Sequence, residues 1–320
     1  MWIDATRGYL SGLRGGRRRL EGIRVYYYHG VVEAKTDALL ERNFNLVTEF
    51  QSHIRFLRRF RVLSLAELAE ELSSNRRFPR KGAVITFDDG YANNLLVAEM
   101  ANAARIPWSL FISTGGVGSD STLWPQELAL LFLHGHATRV EALDRVWRME
   151  SRDQRVAGFR SIQLAMKAMP SRLRRQTLNC IRQQFPKGET QRLLSEFHSM
   201  QMLSWEQTRQ LASAGTDVGS HGVDHEIHHM NQDGDTRWQE LTDSKSELAK
   251  RLNGPCRFFA FPNGDFIPTS ADEVKRAGYE LGFTTQENTI VRGAHPYLLP
   301  RFYPAGPLQQ FARNFFWEAS

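Results

Sequence analysis

Cysteine is scarce in this chain: Cys180 and Cys256 are the only two among 320 residues. That excludes a disulfide framework, leaves a single bridge open, and favours two buried, unpaired thiols in a reducing compartment. Long apolar runs are missing as well. No stretch has the core of a signal peptide or the length to span a bilayer. The formal charge of +6 invites a nucleic-acid reading. No zinc finger, helix-turn-helix pattern or aromatic RNA-binding signature supports one, so nucleic acid is not an expected partner.

What is present suits a globular chain. Hydrophobic residues make up 41% and charged residues 24%, and the length allows one large α/β domain or two small ones. Much of the basic excess lies early, in Arg7, Arg14, Arg17, Arg18, Arg19 and Arg24, among Trp2, Ile3, Tyr9, Leu10 and Leu13. Residues 1–22 are read as a solvated basic tail. The alternative is a segment lying on an anionic membrane surface. The domain proper is expected over 23–320. The expected location is cytoplasmic, with room for peripheral contact at the inner face of a membrane.

Two stretches organise the rest. Residues 83–87 form a short apolar, β-branched run, as in a buried parallel strand, and Asp88-Asp89-Gly90 follows at once. Adjacent carboxylates at the end of a buried strand repel each other and resist ionisation unless a cation compensates. Taken alone, the stretch also reads as a strand end with an Asp-Gly turn. The second stretch, residues 219–225, contains His221 and His225 and follows a strand-like run at 216–218. Two such imidazoles can converge on one ion, with zinc, cobalt, nickel or iron all suited to nitrogen ligands. One carboxylate from the first stretch completes a facial set of three, and the other is free to act as a base. A histidine pair alone is commonly structural; paired with the aspartates after another strand, it points to a site.

Taken in order, residues 23–28 read as the first strand, with His29 at its carboxyl end, where structural and functional roles are equally open. Leu39, Leu40, Phe44, Val47 and Phe50 predict an amphipathic helix over 38–60, with Arg55, Arg58, Arg59 and Arg61 on a solvated face. Ser64 and Glu67 form a capping box for a helix over 65–72. A helix is expected over 91–104 and a strand over 108–113. Residues 126–200 carry no strand signal and read as an insertion of Arg- and Leu-rich helices, a lid or wall over the site whose arginines could meet an anionic substrate group. His134, His136 and His198 there read as surface residues. Helices follow at 205–214, capped by Ser204, at 236–252 and at 271–277. Strands are expected at 258–261, 281–285 and 301–303.

Thr86-Phe87-Asp88-Asp89-Gly90 and Ser220-His221 through His225 resemble the first two motifs of the polysaccharide deacetylase family, the NodB-homology or carbohydrate esterase family 4 enzymes. Tyr28-His29, residues 203–215, Phe259-Ala260-Phe261-Pro262-Asn263-Gly264 and Leu299-Pro300-Arg301 extend the likeness over about residues 23–305, with one gap at the insertion. His228 and His229 have ligand-like spacing, but fall where the family that this sequence resembles has an ordinary loop. The resemblance implies a distorted parallel (β/α)7 barrel, in agreement with the strand–helix alternation. It implies a divalent metal, zinc before cobalt, nickel or iron, held by Asp89, His221 and His225. Asp88 would be the base, and the backbone of Asn263 an oxyanion donor, with Pro262 and Tyr91 beside the substrate. Two departures stand out. Ala260 occupies the place of an arginine that pairs with the catalytic aspartate in many members, and Arg301 is the candidate replacement. The final-motif histidine, a general acid, lacks a clear counterpart; His29 and His295 are the candidates, His29 being better placed.

The implied partner is a carbohydrate, and the implied reaction is N-deacetylation of an amino sugar in a surface glycan or exopolysaccharide. Two other functions remain open: a deformylase or esterase acting on a lipid- or nucleotide-linked sugar, and a non-catalytic glycan-binding protein. The intact Asp-Asp-His-His set argues against the last, because binding alone does not need a free base beside a metal.

Overall fold

The computed structural model describes residues 22–74, 78–304 and 306–316. The expectations for the basic tail, apart from Gly22 and Arg24, lie outside these residues. A single curled parallel sheet organises the fold. Its centre is β5 (Lys81–Phe87), the apolar run that ends in the aspartates. On one side β5 pairs along its whole length with β1 (Gly22–Tyr28), Gly22 against Lys81 through Tyr28 against Phe87. On the other it meets the two-residue β4 (Arg61–Val62) and then β6 (Ser109–Ile112). The sheet continues through β9 (Asp217–Ser220), β10 (Phe258–Ala260) and β11 (Leu281–Phe283).

The residues after β11 close the gap back to β1. Leu299 bridges Phe283 and Phe302 bridges Tyr26, both in parallel sense, with the Phe302 amide donating to the Val25 carbonyl at 2.8 Å. The strand expected over 301–303 is a one-residue bridge at Phe302. Because the strands are parallel, their carboxyl ends share one rim, and all the motif loops meet there.

Two helices follow expectation closely. The helix Leu65–Ser73 starts on a reciprocal box, Ser64 Oγ accepting from the Glu67 amide at 3.1 Å and Glu67 Oε2 from the Ser64 amide at 2.8 Å. Ser204 caps the helix Trp205–Ser213 in the same way with Gln207. The helix expected over 38–60 spans only Val47–Leu57. Residues Phe44–Leu46 (β3) form a short strand beside Gly30–Val32 (β2), and Leu40 and Phe44 are buried against the insertion and Tyr91 rather than along a helix. The polypeptide ends, among described residues, in the helix Leu308–Phe316, whose Phe311 and Phe315 pack on the β1 side of the barrel.

Between β6 and β9 lies the insertion. It contains α1 (Trp124–His134), α2 (Arg152–Lys167), α3 (Ser171–Arg182) and α4 (Glu189–Glu196) around an apolar cluster of Leu128, Phe132, Phe159, Ile162, Ile181 and Leu193, which Leu40, Phe44, Tyr91 and Ile227 complete from the barrel side. It is not wholly helical: β7 (Arg139–Ala142) and β8 (Arg145–Arg148) form an antiparallel hairpin. Two further readings are corrected. Arg24 is fully buried in β1, its guanidinium near the rings of Phe302 and Phe315, and is no part of a solvated basic surface. Cys256 is buried as expected, but Cys180 is exposed; both are free. No helix among the described residues is long and apolar enough to cross a membrane.

Candidate active site

At the shared rim a cavity of about 200 Å³ is lined by His29, Asp88, Asp89, Tyr91, His221, His225 and Asn263. Sequence reasoning named all seven. Three other candidates are placed differently. Arg301 is fully buried behind Asp88. Pro262 is buried under the Pro262–Gly264 turn and does not line the cavity. His295 is exposed, beside Tyr297, and does not line it either. Of the two candidate acids, only His29 faces the site.

Asp89, His221 and His225 form a group whose ligand atoms lie within 4.8 Å of one another. The Asp89 Oδ1 is 3.5 Å from His221 Nε2 and 3.4 Å from His225 Nε2. His221 Nδ1 faces the Ala260 carbonyl at 2.8 Å and must donate to it, which leaves Nε2 as a bare acceptor. Burial holds the His221 imidazole down at about 4, so it is neutral. The buried Asp89 Oδ1 has no hydrogen-bond partner among the described residues. A carboxylate oxygen and an imidazole lone pair thus point at one another, an arrangement that a cation between them resolves. Nitrogen and oxygen ligands on three corners, with a cavity on the open side, fit a divalent metal such as zinc. Asp89 and His225 both adopt left-handed backbone, with φ of 77° and 54°. Strain of about 1–3 kcal/mol per residue is typical where a functional site dictates geometry.

Asp88 is held differently. Its Oδ1 and Oδ2 accept from Arg301 Nη1 and Nη2, each at 2.7 Å. Arg301 is fixed in turn by Nε donating to the Thr284 carbonyl at 3.0 Å and Nη1 donating to Thr86 Oγ1 at 3.1 Å. Burial works to raise the Asp88 carboxyl. The Arg301 guanidinium outweighs burial and holds it below the usual carboxylate range. Tyr91 is buried, its hydroxyl accepting from Gln126 Nε2; burial, then the Asp89 carboxylate, push its phenol well above the ordinary value.

The loop between the histidines is anchored from below. Glu240, on the helix Gly234–Leu252, accepts from the amides of Val223 at 2.7 Å and Asp224 at 3.2 Å. Gly222, at φ of 80°, leaves room for it; a Cβ there would fall 2.5 Å from Glu240 Oε2. Burial, then Glu226 and Asp224, push the Glu240 carboxyl from 4.5 up to about 8. The folded state therefore binds this proton more tightly than the unfolded chain. The associated stability is full below pH 4.5 and is lost as pH rises through about 8. Glu240→Gln keeps one acceptor oxygen and cannot ionise. Its melting temperature relative to the native protein is expected to improve from pH 6 to about pH 8 and to level off above that. Parallel melting-temperature curves over that range would contradict this assignment.

Several supporting residues were not read from the sequence. Thr86 and Thr284 position Arg301. Trp124 Nε1 donates to the His225 carbonyl at 3.2 Å, tying the insertion to the loop that carries the two histidines. Phe159, Gln163 and Lys167 line the cavity from α2. Their four-residue spacing was available in the sequence, but nothing there said which helix face met the barrel.

A parallel α/β barrel with a carboxylate–imidazole centre at the carboxyl rim is the construction of a hydrolase. The polysaccharide deacetylase family profile matches residues 75–282, well over half of the chain. In structure the chain is similar to the Streptococcus pyogenes deacetylase PplD in complex with acetate. Identity is 17%, covering 93% of this chain and 98% of that one, with a TM-score of 0.59. It is similar to IcaB from Ammonifex degensii, at 18% identity, 92% and 96% coverage and a TM-score of 0.60. A de-N-acetylase from Aggregatibacter actinomycetemcomitans matches at 15% identity, 92% and 99% coverage and a TM-score of 0.55. These likenesses establish the (β/α)7 barrel fold. No curated protein sequence matches significantly. The chain belongs to the polysaccharide deacetylase family, and is a hydrolase acting on carbon–nitrogen bonds other than peptide bonds.

Proposed function

We propose that this protein is a metal-dependent N-deacetylase acting on an N-acetylated amino sugar of a glycan. The observation that carries the reading is the pairing of two differently held carboxylates, Asp88 clamped by Arg301 and Asp89 facing two imidazoles. Asp89, His221 and His225 would hold the ion, zinc fitting the donors best. Such an ion supplies Lewis acidity, polarising the acyl oxygen and bringing the pKa of water toward neutrality.

Asp88 accepts the proton of the attacking water as its oxygen bonds to the acyl carbon. A carboxylate held below its usual pKa is ionised at neutral pH but is a weak base. It works only on water already made more acidic, so its own environment calls for a cation nearby. Arg301 keeps Asp88 ionised and aimed. The Asn263 backbone, in a left-handed turn at the cavity wall, donates to the oxygen as negative charge builds there. His29 delivers a proton to the nitrogen as the carbon–nitrogen bond breaks, releasing a free amine and acetate. Its buried Nδ1 has no hydrogen-bond partner among the described residues.

The test is acetate release by the metal-reconstituted protein from N-acetylglucosamine oligomers and from linked N-acetyl sugars. Treatment with a chelator is expected to reduce release to background, and zinc or cobalt to restore it. His225→Ala is expected to lose both metal, measured by elemental analysis, and activity. Release that survives metal stripping would sink the metal-dependent reading, and formate in place of acetate would change the acyl group.

A further inference from the structure

The cavity lining carries charges of both signs. Its acids are Asp88 and Asp89, at the end of β5, the only acidic residues among those described that line it. Asp88 is matched by Arg301 and Asp89 faces the histidines, so neither is available to other cations. Arg42 and Lys167 line the same cavity. Lys167 is the last residue of α2, on the face shared with Gln163 and Phe159. Its Nζ donates to Asn263 Oδ1 at 2.5 Å. Arg42 Nη2 reaches Gln163 Oε1 at 3.5 Å, the outer limit of a hydrogen bond.

Neither cation makes an ion pair with a carboxylate among the described residues. Elsewhere the arginines of this protein are commonly neutralised: Arg182 by Glu127, Arg237 by Glu273 and Arg257 by Glu280. Asp265 lies near Lys167 but spends an oxygen on the Asn263 amide at 2.6 Å. Burial, then the like charge of Arg42, push the Lys167 ammonium down, against the opposing charge of Asp265. Two like charges in one cavity, neither held in an ion pair among the described residues, cost stability, and an anion bound by both relieves it.

We infer that the sugar substrate carries an anionic substituent, and that Arg42 and Lys167 bind it while the barrel rim holds the N-acetyl group. A phosphate ester suits the site better than a carboxylate, since a guanidinium fork and an ammonium together offer two charges and several donors to its oxygens. This inference rests on the deacetylase reading and narrows its substrate class.

The test compares acetate release from N-acetylglucosamine, its 1-phosphate, a nucleotide-diphosphate-linked form, a short prenyl-phosphate-linked form and an N-acetyl sugar bearing a carboxylate. The measured quantity is kcat/KM relative to the neutral sugar, in native protein and in Arg42→Gln, Lys167→Gln and the double variant. Native protein is expected to prefer the phosphorylated sugars. Each single variant should lose about tenfold of that preference, mainly through KM, and the double variant about a hundredfold. The linked forms tell whether nucleotide or lipid presents the phosphate. Preference for the carboxylate sugar would overturn the phosphate assignment. Equal losses on neutral and phosphorylated sugars would overturn the anion site altogether.

Calorimetric binding of glucosamine 1-phosphate to native and double-variant protein separates the two readings. Binding that needs both cations, with no amide hydrolysis of any substrate, would keep the anion site and discard the deacetylase reading. Acetate release from neutral sugars without such binding would do the reverse.

Discussion

Asp88→Asn is expected to lower kcat for acetate release by about a thousandfold, while metal content stays that of the native protein. The carboxamide matches the carboxylate in shape but cannot accept the proton of an attacking water. KM should change little, because Asp88 meets the reaction through that water. Asp88 is almost fully buried, so bulk solvent is a poor substitute base. Steady-state kinetics with metal analysis on the same preparation decides the matter. A variant within about threefold of native kcat, metal intact, would remove Asp88 from the chemistry, since a positioned base contributes far more than that.

Arg301→Leu is expected to be the most destabilising single change at the site. It leaves the Asp88 carboxylate buried without its counter-ion, a loss that typically costs about 3–5 kcal/mol. In the native protein the depressed Asp88 pKa contributes stability above the ordinary value of 3.8, and that stability is lost as pH falls through the lower folded value. Without Arg301, burial dominates and the carboxyl pKa rises. The acid limb of the pH–rate profile should then move to higher pH, and the denaturation midpoint should fall most at neutral pH. Asp88→Asn combined with Arg301→Leu removes both charges and is expected to recover much of the stability without recovering activity. Denaturant titrations of the four proteins form the cycle. If the double variant is as unstable as the sum of the singles, Arg301 acts by packing and not by charge.

The parts of this site that were legible in the sequence are local. The β-branched run before Asp88-Asp89 and the histidine pair after a second strand announce themselves within a few residues, and parallel strands bring such ends to one rim. The Asp88–Arg301 clamp joins residues 213 positions apart. Only the resemblance to the family suggested it, and the choice between His29 and His295 needed the cavity itself. The misread elements have identifiable causes. Leu39, Leu40 and Phe44 are spaced as in a helix, but Leu40 and Phe44 are apolar because the insertion covers them, and the backbone there runs as turn and strand. The hairpin at 139–148 turns through Leu143 and Asp144, both at positive φ. A turn of that kind normally advertises itself with Asn or Gly, and here it does not. Arg24 sits in a strand buried on both faces, where alternation cannot separate a core arginine from a basic tail.

The insertion's apolar cluster divides the labour of the polypeptide. The proposed base and ion ligands sit at strand ends of the barrel, whereas Phe159, Gln163 and Lys167 reach the cavity from a helix packed mainly among insertion residues, with Val32, Leu40, Phe44, Tyr91 and Ile227 completing the cluster. Recognition can therefore be re-engineered as a module. Exchanging side chains along one helical face, or grafting a different insertion between β6 and β9, would present new chemistry to the incoming sugar while the hydrolytic apparatus stays in place.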